Sequence, residues 1–323
     1  MNQMNRLKIR SGRGLGAIPI TPASARRPFL CFECFDSCAD VASRANRVAS
    51  NKGAQGAQGR RVSLPVPHTI AGVKVHPLRL ETVLAWIKQA ITERQRTTIM
   101  YANAYAINLA QRDPAFLHAL NQAEITFCDG YGVRLAAELL KQPLPQRFTP
   151  PDWIDDLMAL CTEHKYRLFL LGAKPGVAAN AAHQIQTRFP QLEIATHHGY
   201  FSTHGTQNEA VRNKINAASP HILLVGMGMP RQEIWIEQNR HRHNAPVVIA
   251  VGALFDYLAG QIKRGPRWLT DSGGEWLWRL CCEPRRLWRR YLLGNPAFVW
   301  LVLREWITKR QEGNRKGLPL QNH

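Results

Sequence analysis

The chain of 323 residues has no apolar run near the roughly 18 residues that a membrane-crossing helix needs; the stretch around Ala297–Leu303 is far too short. Its basic N-terminus is not followed by a secretory-type hydrophobic segment, since Ser11–Ile20 carries none. The seven cysteines are an odd number without the paired spacing of a disulfide framework. They suit a reducing compartment, and the expectation is cytosol. Acidic residues are scarce, 23 against 42 Lys and Arg, and the resulting formal charge of +19 predicts an anionic partner. There is no Walker loop and no intact Gly-x-Gly-x-x-Gly after a strand, which argues against an ATPase or a dinucleotide enzyme. No Asp-x-Asp pair occurs either, so no carboxylate clamp for Mg²⁺ or Mn²⁺, and no cofactor, is expected.

The basic charge that is present sits at the two ends. Residues 1–65 hold 11 basic and 3 acidic side chains and residues 259–323 hold 13 and 5, so a near-neutral middle is flanked by two basic segments. Residues 1–64 are dominated by Gly, Ser, Ala, Asn and Arg, with a nearly low-complexity run at 51–59, and read as a disordered leader. Within it Cys31, Cys34 and Cys38 lack a fourth ligand at metal-site spacing and read as incidental thiols. From about Val66 apolar runs alternate with amphipathic windows. Strands are expected at Thr98–Ala102, Ile125–Cys128, Arg167–Leu171, Glu193–Thr196, His221–Val225 and Val247–Val251. Helices are expected near Leu80–Ile91, Pro114–Ala123, Val133–Leu140, Trp153–Thr162, Gly176–Phe189, Gln207–Ala217 and Gln232–Arg240. This alternation predicts an α/β fold, a doubly wound, Rossmann-like and mostly parallel sheet over residues 65–262.

Ligands of such sheets sit beyond the strand carboxyl ends. Those positions read Asn103, Asp129-Gly130, Gly172, Gly199, Gly226-Met-Gly228 and Gly252. One glycine suits any β-to-α turn, but several in register predict a nucleotide site, with helix N-termini offering N–H groups to phosphate. Asp129 ends a strand and precedes Gly-Tyr-Gly, so its carboxylate is expected in the crevice, able to take a proton from a sugar hydroxyl attacking an anomeric carbon. The competing reading is a helix N-cap. In Gly226-Met-Gly-Met-Pro-Arg-Gln-Glu233, Pro230 can open a helix, Gln232 is expected to bond sugar hydroxyls or a uracil edge, and Glu233 to cap the helix. With no metal clamp, arginines and helix N-termini must stabilise a departing diphosphate.

After Gly260 six of the nine tryptophans are interleaved with arginines that include Arg279, Arg285, Arg286, Arg289 and Arg290. The expectation for 263–312 is a helical appendage on an anionic membrane surface, with 313–323 as a tail. A helical cap with solvated arginines is the plainer reading, and a nucleic-acid-binding protein is a rival of another class.

Together, Tyr101-Ala-Asn103, Cys128-Asp-Gly-x-Gly132, Arg147-x-Thr149-x-x-Asp152, Leu171-Gly-x-x-Pro-Gly176, Gly199-Tyr-Phe201, Gly226-x-Gly-x-Pro-x-Gln-Glu233, Gly252-Ala-Leu-Phe-Asp256 and Lys263-Arg-x-Pro266 resemble the WecG/TagA/CpsF glycosyltransferases. The resemblance runs from about residue 66 to 310, and includes Glu275-Trp-Leu-Trp-Arg279 and Glu283-Pro-Arg-Arg286. It implies an inverting, metal-independent transfer from a UDP-sugar to a polyprenyl-diphosphate-linked saccharide at the inner face of the cell membrane, and leaves a homo-oligomer open. Asp129 would then be the base, and Asn103 and Gln232 would hold the donor sugar near Tyr101, Arg147 and Thr149. Arg279, Arg285 and Arg286 would meet the diphosphate or the membrane. The family usually has Thr where this chain has Tyr101, and Gly where it has Pro150. These departures, with other motif wording, resemble the exopolysaccharide, GumM-like branch. The expected donor is therefore UDP-glucose, with UDP-N-acetylmannosamine or its uronate as the alternative.

Overall fold

The structure, a computed structural model, describes residues 61–271 and 273–316. The expected leader therefore lies outside the described residues except for its last four, and Cys31, Cys34 and Cys38 lie outside them altogether.

A short hairpin, β1 (His68–Ile70) and β2 (Val73–Val75), leads into α1 (Leu80–Thr92), β3 (Thr97–Ala102), α2 (Ala104–Ala110), α3 (Pro114–Gln122), β4 (Ile125–Cys128) and α4 (Tyr131–Leu139). There follow α5 (Pro150–His164), β5 (Leu168–Gly172), α6 (Val177–Arg188), β6 (Ile194–His197), α7 (Gly205–Ala218), β7 (Ile222–Gly226), α8 (Arg231–Asn239), β8 (Val247–Ala250) and α9 (Leu254–Leu258). The last segment holds α10 (Arg267–Asp271), α11 (Glu275–Cys282), α12 (Pro284–Trp288), a π-helical turn at Arg289–Leu293, and α13 (Gly294–Lys316).

Six strands form one parallel sheet in the order β4-β3-β8-β7-β5-β6, flanked by helices. The α/β, Rossmann-like expectation is met. Every residue of β3, β4, β5, β7 and β8 is buried, as strands covered on both faces must be, which explains their unbroken apolar runs. β6, at the edge, is only half-buried.

Local chemistry sets several helix starts. The Asp113 side chain accepts from Phe116 N and Pro114 fills the first turn, so α3 begins there. Thr149 and Asp152 form a reciprocal cap in front of Pro150 and Pro151. This starts α5 three residues before the expected Trp153. The hairpin and α2 were not expected; their strands are three residues each, and α2 follows β3 across the single residue Asn103.

α13 packs on α2, burying Phe298 and Val302. The Asn108 side-chain amide donates to Gly294 O at 2.7 Å, and the Ala71 N–H donates to Glu305 Oε2 at 2.7 Å. The C-terminal segment is thereby anchored to both α2 and the hairpin. No helix among the described residues is long and apolar enough to cross a membrane.

Candidate active site

Two cavities meet at the carboxyl ends of β3 and β4. One, of about 310 Å³, is lined by Tyr101, Thr149, Pro150, Gly228, Gly252, Tyr257 and Arg286 among others. The other, of about 540 Å³, runs between α4 and α13 and is walled by Leu135, Leu139, Phe298, Val299, Val302 and Leu303. Asn103, Tyr105, Asp129, Thr149, Glu275, Arg279 and Arg290 line both. A polar cavity and an apolar one thus share a rim that carries two carboxylates and two guanidinium groups.

Asp129 follows β4, where its N–H donates to Ala102 O at 2.9 Å. Gly130, at φ +115°, makes the bend into α4 and leaves Asp129 outside that helix, so Asp129 is not its N-cap. The cap reading belongs instead to Asn103, whose Oδ1 accepts from Ala106 N at 3.0 Å. Its Nδ2 donates to Asp129 Oδ2 at 3.1 Å, which aims the carboxylate across the rim. Burial pushes the Asp129 carboxyl up to about 6. The Asn103 bond opposes that rise, Glu275 adds to it, and Arg147 and Arg290 oppose it. A carboxylate so placed is ionised near neutral pH yet basic enough to accept a proton.

The cations come from elsewhere. Arg147 lies over the Tyr131 ring, 5.0 Å from its centroid, and its Nη2 is 4.0 Å from Asp152 Oδ2. Asp152 also pairs with Arg264, which ties the C-terminal segment to the start of α5. Arg279 stacks over Tyr257 and Arg290 over Tyr105, at 5.9 and 4.3 Å from the ring centroids. The buried Nε of each makes no hydrogen bond to a described residue. Two such donors on the rim are suited to an anion.

Several expected residues sit otherwise. Gln232 is fully buried and lines neither cavity. Its Oε1 accepts from the N–H groups of Gly228 and Gly252, both at 3.2 Å, while its Nε2 donates to Glu233 Oε1 at 2.7 Å and lies 3.4 Å from the Tyr101 hydroxyl. With these bonds made it has nothing left for a sugar or a uracil; it clasps the loops after β7 and β8 from behind. Glu233 is likewise buried; it stands in the first turn of α8, as expected of a cap, with its own backbone N–H donating to its carboxylate. The Gln232 N–H donates to Gly228 O at 3.0 Å. Gly172 and Gly226 also line neither cavity. A Cβ at Gly172 would strike the Gly226 carbonyl, and one at Gly226 would meet Gly252 O at 2.8 Å, so these glycines let neighbouring strand ends pack. Gly252, at φ +58° and against the Tyr101 hydroxyl, serves packing and cavity at once. Of Gly172, Gly226, Gly228 and Gly252, only Gly228 has open space where a side chain would stand.

In the appendage, Arg279 and Arg286 reach the cavities, whereas Arg285 and Arg289 are exposed and line neither. Glu275, Arg290, Tyr105 and Tyr257 were not singled out for the site. Arg290 stands four residues after Arg286, one helical turn on, which is a spacing the sequence offers.

A family model described as Glycosyl transferase WecG/TagA/CpsF family matches residues 68–312. Proteins named N-acetylglucosaminyldiphosphoundecaprenol N-acetyl-beta-D-mannosaminyltransferase, from Staphylococcus aureus strains NCTC 8325 / PS 47, COL and MRSA252, are similar to this chain. Each is 32% identical over 204 residues, covering 63% of this chain and 78% of the relative.

Proposed function

Since the chain belongs to the glycosyl transferase WecG/TagA/CpsF family, we propose that this glycosyltransferase moves N-acetylmannosamine from its UDP conjugate to a polyprenyl-diphosphate-linked N-acetylglucosamine. The relatives' names support this donor sugar over the glucose expected from the sequence. The enzyme family also leaves the nucleic-acid-binding alternative without support.

One observation carries the reading: Asp129 lies on the rim where a polar cavity meets an apolar one, with Arg279 and Arg290 beside it. The polar cavity suits the nucleotide sugar, bounded by Tyr101, Thr149, Gly228 and Gly252. The apolar cavity suits the first part of a lipid-linked acceptor. The acceptor hydroxyl oxygen bonds to the anomeric carbon as the bond from that carbon to the diphosphate oxygen breaks, and UDP leaves with the electron pair. Asp129 takes the hydroxyl proton, and attack from the face opposite the leaving group inverts the anomeric carbon. Guanidinium groups neutralise the charge that grows on the diphosphate, a role that needs no metal. We further place the enzyme on an anionic membrane surface. Trp276, Trp288, Leu293, Val299 and Trp300 are exposed together with Arg285 and Arg289, a combination fitted to a lipid headgroup layer.

The test is a transfer assay with UDP-N-acetylmannosamine, UDP-N-acetylglucosamine and UDP-glucose against polyprenyl-diphosphate N-acetylglucosamine in detergent, with and without EDTA. Turnover of the first donor, kept in EDTA, is expected. Preference for UDP-glucose would restore the other sugar, and strict dependence on added Mg²⁺ would refute charge neutralisation by arginine alone. Sedimentation with anionic vesicles, weakened by salt, tests the membrane placement.

A further inference from the structure

Glu275 is, with Asp129, one of only two carboxylates lining either cavity among the described residues, and it lines both. It is half-buried in the first turn of α11, and no hydrogen bond or ion pair with a described residue engages its carboxylate. Both expected substrates are diphosphates, which a carboxylate repels, so its partner in this site is another part of them. An ionised carboxylate only accepts hydrogen bonds, and the donors a lipid-linked saccharide offers are hydroxyl and acetamido N–H groups. Arg279 stands four residues further along the same face of α11, about 6 Å on along the helix axis, and lines the same two cavities. One helix face thus presents a hydrogen-bond acceptor and, one turn away, a guanidinium. A sugar joined to a diphosphate has the complementary order of groups at a similar spacing.

We propose that Glu275 is an acceptor-positioning residue, which takes hydrogen bonds from the hydroxyl or acetamido groups of the lipid-linked sugar while Arg279 meets its diphosphate, and so turns the attacking hydroxyl toward Asp129. This rests on the glycosyl-transfer reading above. The same charge acts on the base: Glu275 raises the Asp129 carboxyl, against Asn103, Arg147 and Arg290, while Tyr101 and Cys128 are the other titratable groups coupled to it. Glu275 therefore leaves a mark on the pH profile that a merely structural side chain would not.

The experiment compares the wild type, Glu275→Gln and Glu275→Ala in steady-state transfer, varying each substrate and the pH, with UDP-sugar binding measured by calorimetry as the check on folding. For Glu275→Ala the acceptor KM is expected to rise about tenfold or more, the scale of one lost bond to a charged acceptor, with the donor KM little changed. Glu275→Gln, which keeps one accepting oxygen, should recover part of that loss, and its acid limb should lie at lower pH than that of the wild type. An unchanged acceptor KM in both variants, an equal rise in donor KM, or an acid limb that does not move would overturn the assignment. Should the wild type itself transfer no sugar to the lipid-linked acceptor, the glycosyl-transfer reading falls and takes this inference with it. Wild-type turnover with indifferent Glu275 variants sinks only the inference.

Discussion

The sheet and the C-terminal segment solve opposite problems. Five of the six strands of the sheet are buried along their length, and the loops at their ends are tied from within by Gln232 and Asn103. The C-terminal segment leaves Trp268 and Trp300 74% and 62% exposed, and buries little beyond Leu287, Phe298 and Val302. In the proposed reaction the sheet end supplies the base, Asp129. The C-terminal segment brings Glu275, Arg279 and Arg290 to the same rim, and so most of the positive charge proposed to meet a diphosphate. On the proposed reading, the chemistry is thus divided between a preorganised part that holds the base and an exposed part that meets the lipid-linked substrate.

The division breaks most sharply at the base. Asp129→Asn is expected to lower kcat by about 100-fold or more, as loss of a general base does, while UDP-sugar binding persists. Turnover close to that of the wild type would remove Asp129 from the reaction. The next largest effect distinguishes arginines within the C-terminal segment. Arg279→Ala and Arg290→Ala should each cost about tenfold to a hundredfold in transfer, measured in detergent, because each removes a charged donor from the rim. Arg285→Ala and Arg289→Ala, exposed and outside both cavities, should leave that assay nearly unchanged and instead weaken sedimentation with anionic vesicles. Equal losses for all four would mean that the cavities do not decide which arginines act.

A smaller effect follows from pH. Since the Asp129 carboxyl is raised to about 6, it is protonated and idle below that pH, so kcat/KM should climb as pH rises through about 6. A profile flat from pH 5 to 7 would contradict the assignment. The smallest effect concerns stability alone. Burial pushes Glu233 up to about 7. A carboxyl raised on folding stabilises the fold fully below its unfolded value, and that contribution is lost as pH rises through the folded one. The wild type should therefore lose stability between about pH 4.5 and 7, and Glu233→Gln should flatten that loss, its melting temperature exceeding that of the wild type by a few degrees at pH 8. Parallel melting curves at pH 5 and pH 8 would show that Glu233 does not titrate in this range.

Much of the sheet was legible in the chain because a strand covered on both faces must be apolar throughout. Runs such as Phe169-Leu-Leu171 and Val247-Val-Ile249 announce themselves, and the observed strands end within a residue of expectation. The start of α5 was also written, as Thr149-Pro-Pro-Asp152, though the apolar pattern drew attention to Trp153. Gln232 and Glu233 carried a subtler signal. Gln232 lies three residues before the buried Trp235 and Glu233 three before the buried Ile236, on the buried face of α8, and helical periodicity turns them inward despite their polarity.

The sequence by itself determined the strands of the parallel sheet, most of the helices around it and the position of Asp129 at a strand end, since these follow from local periodicity and from the turn that Gly130 permits. Tertiary structure alone decided which polar groups face a cavity. Gln232 became a clasp because two loop N–H groups converge on it from separate strands, Gly172 and Gly226 became packing positions because their strands are neighbours, and Arg290 became a rim residue because α13 docks on α2. Each outcome depends on contacts between segments far apart in the chain, and a polar side chain satisfied by distant partners looks, in sequence, the same as one waiting for a ligand.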